Sequence, residues 1–192
     1  MFQLADVEYE DKRVDQDEWK VMKPNTGLGK LPVLEVDGKE LPQSGAICRF
    51  VAREHGFYPP DSWGRAQVDV ITETIVENDA SLKKVLLERD QEKKEVLKKE
   101  YVEGSLKRQS ENLEKLLRKN NEGVGWFVGD KITLADVMVF CIYYDINSSV
   151  LGKDPSGLPN LDGFELLKSF IVRFKLEPKI AEWIEKRPMT PF

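Results

Sequence analysis

Apolar residues recur along this chain with two different periods, and the change of period divides it. Residues 6 to 14, DVEYEDKRV, set Val7, Tyr9 and Val14 among charged neighbours and predict a short strand. Pro24, Asn25, Gly27 and Gly29 then predict a loop. Leu31 to Val36 and Lys39 to Leu41 flank Asp37-Gly38, a pair that accepts positive φ at both central turn positions, so a type I′ hairpin is expected there. From Ser44 onward, Ile47, Phe50 and Val51 recur at helical spacing until Gly56, Pro59 and Pro60 stop the helix. The stretch GFYPPD is the expected boundary between a first domain at 1–58 and a second at 62–192.

Beyond it the period is helical throughout. Val68, Ile71, Ile75, Leu82 and Leu86 mark one stripe, and Leu106, Leu113, Leu116 and Leu117 mark another that ends at Gly123. Thr133-Leu-Ala-Asp136 reads as a capping box before the apolar helix VMVFCIYY, with Asp in place of the usual Glu or Gln. Two more helices are expected from Phe164 to Phe174 and from Pro178 to Lys186, the second with proline in its first turn and Pro188 behind it. A strand, a hairpin and a helix followed only by helices predict a small α/β domain and then an all-α bundle.

Composition narrows the chemistry. The chain has 192 residues, 41% of them apolar and 33% charged, enough for two small cores. Its net charge of -5 with no concentrated basic stripe argues against nucleic acid as a partner. No apolar run approaches a membrane span, and the N-terminus has no leader pattern, so a cytoplasmic protein that does not enter membranes is expected. The two cysteines, Cys48 and Cys141, sit in apolar helical patterns and are expected to be buried thiols rather than a disulfide. No Cys-x-x-Cys occurs, which disfavours a thioredoxin-type redox protein. His55, the single histidine, stands at a helix end where it complements the dipole.

Taken in order, Trp19 with Lys23-Pro24, Gly29-Lys30-Leu31-Pro32-Val33-Leu34, Gln43-Ser44, the Thr133-Leu-Ala-Asp136 box and the ending Trp183-Ile-Glu-Lys-Arg-Pro188 resemble a glutathione S-transferase. The resemblance is to the sigma class, which includes prostaglandin D synthases, and it covers nearly all of residues 1 to 192. It implies a thioredoxin-like domain before a helical bundle, a homodimer, and glutathione as co-substrate. Leu31, before a Pro32 that the family holds cis, is then expected to pair its backbone with the cysteinyl unit. Gln43 and Ser44, at a helix start, are expected to hold the γ-glutamyl carboxylate. Trp19, Lys23 and Lys30 are expected at the glycyl carboxylate. Glu77, supplied by the opposite subunit, is expected at the ammonium. Met138, Ile142 and Phe192 match positions that wall the pocket for a hydrophobic electrophile. No metal site is expected, because Val76 interrupts the acidic residues Asp69, Glu73 and Glu77 along one helix.

The resemblance also implies a strand and helix start, roughly twenty residues, ahead of the position matching Met1. That stretch carries the family's catalytic tyrosine, so no catalytic residue is assigned within residues 1 to 192, and a first domain of reduced stability is expected. The chemistry implied is conjugation of the glutathione thiolate to electrophiles, including isomerisation of prostaglandin H to D. The alternative is a non-catalytic ligand binder or a crystallin-like dimeric structural protein.

Overall fold

A computed structural model describes residues 1–77, 79–151 and 161–188 of the chain. They form two compact units, Met1–Gly56 and Phe57–Phe192.

In the first unit a single turn, α1 (Phe2–Ala5), ends at Asp6 in the left-handed region. Residues 7–15 then run without regular structure, so the strand expected at 6–14 does not form. The reason is pairing. A strand exists by its ladder, and among the described residues the one sheet contains β1 and β2 alone. Helix α2 (Gln16–Met22) opens with a full capping box: the Asp15 carboxylate accepts from the N–H groups of Asp17 and Glu18 at 2.8 and 2.9 Å, while Glu18 accepts from the Asp15 N–H at 2.9 Å. A 3₁₀ turn follows at Lys23–Asn25.

Strands β1 (Val33–Val36) and β2 (Lys39–Pro42) pair antiparallel with Val36 opposite Lys39 and Val33 opposite Pro42. Asp37 and Gly38 both take positive φ, 51° and 72°, as the expected hairpin turn requires. Helix α3 (Ser44–Glu54) comes next and stops at His55 and Gly56. Only Val51 and Ala52 are buried in this unit. Its core is open.

The second unit is helical and well filled. Asp61 caps α4 (Ser62–Val76) by accepting from the Gly64 N–H at 2.8 Å. Val68, Ile71 and Ile75 are buried as the stripe predicts, but in α5 (Asp79–Leu87) the buried residues are Leu82 and Val85 while Leu86 is exposed. The turn at Glu77 between the helices resets the phase of the stripe.

Helix α6 (Gln91–Glu100) passes through a π-helical stretch, Tyr101–Leu106, into α7 (Lys107–Lys119). Similarly α8 (Leu134–Phe140) passes through Cys141–Asn147 into α9 (Ser148–Leu151). Helices α10 (Glu165–Lys175) and α11 (Pro178–Lys186) close the chain.

Phe140 stacks on Tyr144 and on Phe174, with ring centroids 4.8 and 4.6 Å apart, and Phe127 meets Phe170 edge-on at 5.0 Å. The buried face of α8 and its extension runs through Val137, Phe140, Tyr143 and Tyr144. Cys141 is therefore turned outward and is exposed, contrary to expectation, whereas Cys48 is half-buried and burial raises its thiol pKa. The two thiols are not joined.

Candidate functional site

The hairpin register brings two of the expected stretches, Leu31-Pro32 and Gln43-Ser44, to one end of the sheet. Because Val33 faces Pro42, the chain entering β1 and the chain leaving β2 emerge together at the end opposite the Asp37-Gly38 turn. One carries Leu31-Pro32, whose peptide bond is cis; the other carries Gln43-Ser44. Leu31 lies outside the ladder and is half-exposed, leaving its backbone open to an extended ligand.

Gln43 precedes α3 with φ 75° and makes no side-chain capping bond. Ser44 is the first residue of the helix and Gln43 stands at the cap position. The Gln43 side chain thus leaves the first-turn N–H groups of α3 uncapped, and the positive end of an eleven-residue helix faces the open end of the hairpin. A non-glycine residue held left-handed costs about 1–2 kcal/mol, strain of the kind that concentrates at ligand-binding positions.

Trp19 and Lys23 lie one turn apart at the end of α2, where the Lys23 N–H donates to the Trp19 carbonyl. Trp19 is half-buried and Lys23 exposed. A Cβ placed on Gly29 would lie 3.8 Å from Lys23 Cγ and Cε, so the lysine stem runs beside the residue that precedes Lys30. Neither ammonium is held in an ion pair among the described residues. The stem of Lys23 thus lies beside Gly29, two residues before Leu31 in the chain.

The other expected residues belong to the second unit. Glu77 is the exposed C-cap of α4, its N–H bonded to the Glu73 carbonyl at 3.0 Å. Lower on α4, Asp69 accepts from the Tyr58 hydroxyl at 2.7 Å. Among the described residues no group of His, Cys, Asp and Glu is arranged to hold a metal ion. Met138 and Ile142, four apart, are both half-buried on one face of α8 and its π-helical extension. Phe192 lies outside the described residues.

Two features of this unit had no counterpart in the sequence reading. An ion pair, Arg187 to Asp145 at 2.8 Å and mostly shielded from solvent, ties the end of α11 to the stretch that carries Ile142. A buried polar relay links Ser110, Tyr143 and Gln109, with hydroxyl contacts of 2.9 and 3.3 Å, and burial raises the Tyr143 phenol pKa. The one hint of the first is a lone acid ending an apolar helix.

Residues 1–53 match the glutathione S-transferase N-terminal domain, and residues 78–187 match the glutathione S-transferase C-terminal domain. The chain belongs to the glutathione S-transferase family. It is 34% identical to S-crystallin SL11 of Nototodarus sloanii, covering 100% of this chain and 90% of that protein. It is 33% identical to hematopoietic prostaglandin D synthase of Gallus gallus, covering 99% and 89%. Among solved structures, monomeric Na-GST-3, a glutathione S-transferase from the hookworm Necator americanus, matches at a TM-score of 0.85 and 33% identity, covering 100% of this chain and 90% of that one. The architecture is thus the glutathione transferase fold, a small α/β domain before a helical one. No helix among the described residues is long and apolar enough to cross a membrane.

Proposed function

We propose that the chain is a sigma-type glutathione transferase, binding glutathione at the open end of the β1–β2 hairpin and presenting its sulfur to a hydrophobic electrophile. The observation that carries this reading is the emergence of Leu31 and Ser44 together, one offering an unpaired backbone edge and the other an uncapped helix start. Glutathione has complementary parts: an extended peptide backbone, two carboxylates and one ammonium. The Leu31 N–H and C=O meet the cysteinyl unit, and the Ser44 N–H and hydroxyl with the Gln43 amide meet the γ-glutamyl carboxylate. Trp19, Lys23 and Lys30 meet the glycyl carboxylate. Glu77 of a second copy meets the ammonium in a homodimer; the likeness to a monomeric transferase makes sedimentation the necessary check.

In the reaction the thiol proton leaves to solvent, the thiolate attacks an electrophilic carbon and that carbon's leaving group departs. Met138, Ile142 and Phe192 wall the electrophile. The likeness to a prostaglandin D synthase supports extending the chemistry to isomerisation of prostaglandin H to D. A preorganised hydrogen-bond donor to the sulfur is worth on the order of 10²- to 10³-fold in rate in such a reaction. Expression in the cytoplasm fits this use of glutathione.

A second reading is favoured by the open core of the first unit and by the likeness to an S-crystallin: ligand binding or a dimeric structural role without catalysis. Calorimetry with glutathione, followed by conjugation of 1-chloro-2,4-dinitrobenzene, separates the two. Binding that weakens about tenfold in Ser44→Ala, with conjugation above buffer, upholds the transferase. Binding without conjugation favours the second reading. Absence of binding contradicts the site itself.

A further inference from the structure

The π-helical stretch Cys141–Asn147 carries Ile142 and is gripped by its neighbours on two sides. Toward the core, Tyr143 is fully buried with its hydroxyl on Ser110 and Gln109. Tyr144 stacks on Phe140, and the Lys175 ammonium lies 5.6 Å from the centre of its ring. Toward α11, the Asp145 carboxylate pairs with the Arg187 guanidinium at 2.8 Å. These two side chains are 24% and 28% exposed, whereas the Lys186–Glu182 pair on the same helix is 70% and 60% exposed. Solvent therefore screens the second pair and leaves the first with more of its attraction.

A tie of this kind counts for more in a π-helical turn than in an α-helical one. The π form is rare, occurs mostly as single turns, and persists where surrounding contacts hold it. Asp145 is three residues from Ile142, inside one widened turn, so a displacement of Asp145 moves Ile142 with it. Arg187 is the residue on which α11 ends, its N–H bonded to the Trp183 carbonyl at 2.8 Å, so the guanidinium projects from a fixed point.

We propose that Arg187 is a positioning residue for the electrophile: by holding Asp145 it fixes the π-helical turn and with it the Ile142 side chain. This role rests on the transferase reading, which puts Ile142 against the electrophile, and it belongs to a residue that touches neither substrate. Leu31 and Ser44, which bind glutathione in that reading, lie in the other unit, so Arg187 acts on one substrate only.

Steady-state conjugation of 1-chloro-2,4-dinitrobenzene by the whole chain, each substrate varied in turn, tests this. Arg187→Gln and Asp145→Asn remove the pair with little change of volume, and each should raise the KM for the electrophile about threefold or more while the KM for glutathione stays within about twofold. Arg187→Lys, which keeps the charge, should stay closer to the wild type than Arg187→Gln. In an Ile142→Ala background, Arg187→Gln should raise the electrophile KM no further. Lys186→Gln, which removes the exposed pair of the same helix, should alter neither constant. An equal rise in both KM values would make the pair a general support of the fold, and independent, multiplying effects of Arg187→Gln and Ile142→Ala would show that Arg187 does not act through Ile142. Either result, or an unchanged electrophile KM in Arg187→Gln, overturns this role while the transferase reading stands. A wild-type chain that conjugates no faster than buffer removes that reading and this role with it.

Discussion

Gln109 Nε2 donates to the carbonyl oxygens of both Thr74 and Ile75, at 2.9 and 3.1 Å, from 35 and 34 residues further along the chain. These carbonyls belong to the last turn of α4. A side chain of α7 therefore caps the end of α4, and Tyr143 fixes that side chain by donating to its oxygen. Replacing Gln109 with Leu keeps the volume and removes the donors. The two carbonyls then lose this donor in a largely buried place, and a loss of about 1–3 kcal/mol is expected as a lower urea midpoint.

Asp136 is completely buried and accepts from the Phe127 N–H, the Thr133 N–H and the Thr133 hydroxyl, each at 2.8 Å. Burial nonetheless pushes it up from 3.8 to about 6, the donors opposing that rise. A carboxyl that holds its proton more tightly when folded contributes stability that is complete below its unfolded value and lost as pH rises through its folded one. Stability should therefore fall by about 2–3 kcal/mol between pH 4 and pH 6 relative to Asp136→Asn, which does not titrate. Urea unfolding of both proteins across that window measures the difference.

Gly123 takes φ 86°, and a Cβ there would stand 2.8 Å from Leu166 Cδ1. Alanine combines a left-handed backbone with a steric conflict at the turn after α7, so Gly123→Ala should cost about 2 kcal/mol. A drop in thermal midpoint for Gly123→Ala, with no drop for alanine at the open and helical Gly104, checks it.

Gln43 is held left-handed at the start of α3. Glycine adopts that conformation freely, so Gln43→Gly should stabilise the turn by about 0.5–1 kcal/mol while removing an amide assigned to the ligand. Slower amide exchange in α3 together with weaker glutathione binding is the expected pair of results. Stronger exchange protection without any change in affinity would remove Gln43 from the site.

The residues differ in how plainly they announced their structure. Asp37-Gly38 demanded positive φ at two successive positions, so the hairpin was legible from local chemistry, and Pro178 and Pro188 bounded α11 as the sequence reading expected. The segment at residues 6–14 had the right alternation but lacked a neighbour, which no local pattern reports. Leu86 was displaced from the core because the turn at Glu77 interrupts a period that the eye continues. Neither π-helical stretch was visible, since a widened turn changes hydrogen bonding more than it changes residue type. In the candidate site, the neighbourhood of Leu31 and Ser44 follows from the hairpin register and could be anticipated. Gln109 could not, for its partners are backbone atoms far away in the chain.

The most direct test of glutathione at the hairpin end is a titration of the ¹⁵N-labelled protein with glutathione, following backbone amide shifts. The account predicts saturable shifts at Leu31, Ser44 and Gly45, with the Asp37-Gly38 turn unmoved. Shifts confined to other residues, or none at saturating glutathione, would contradict it.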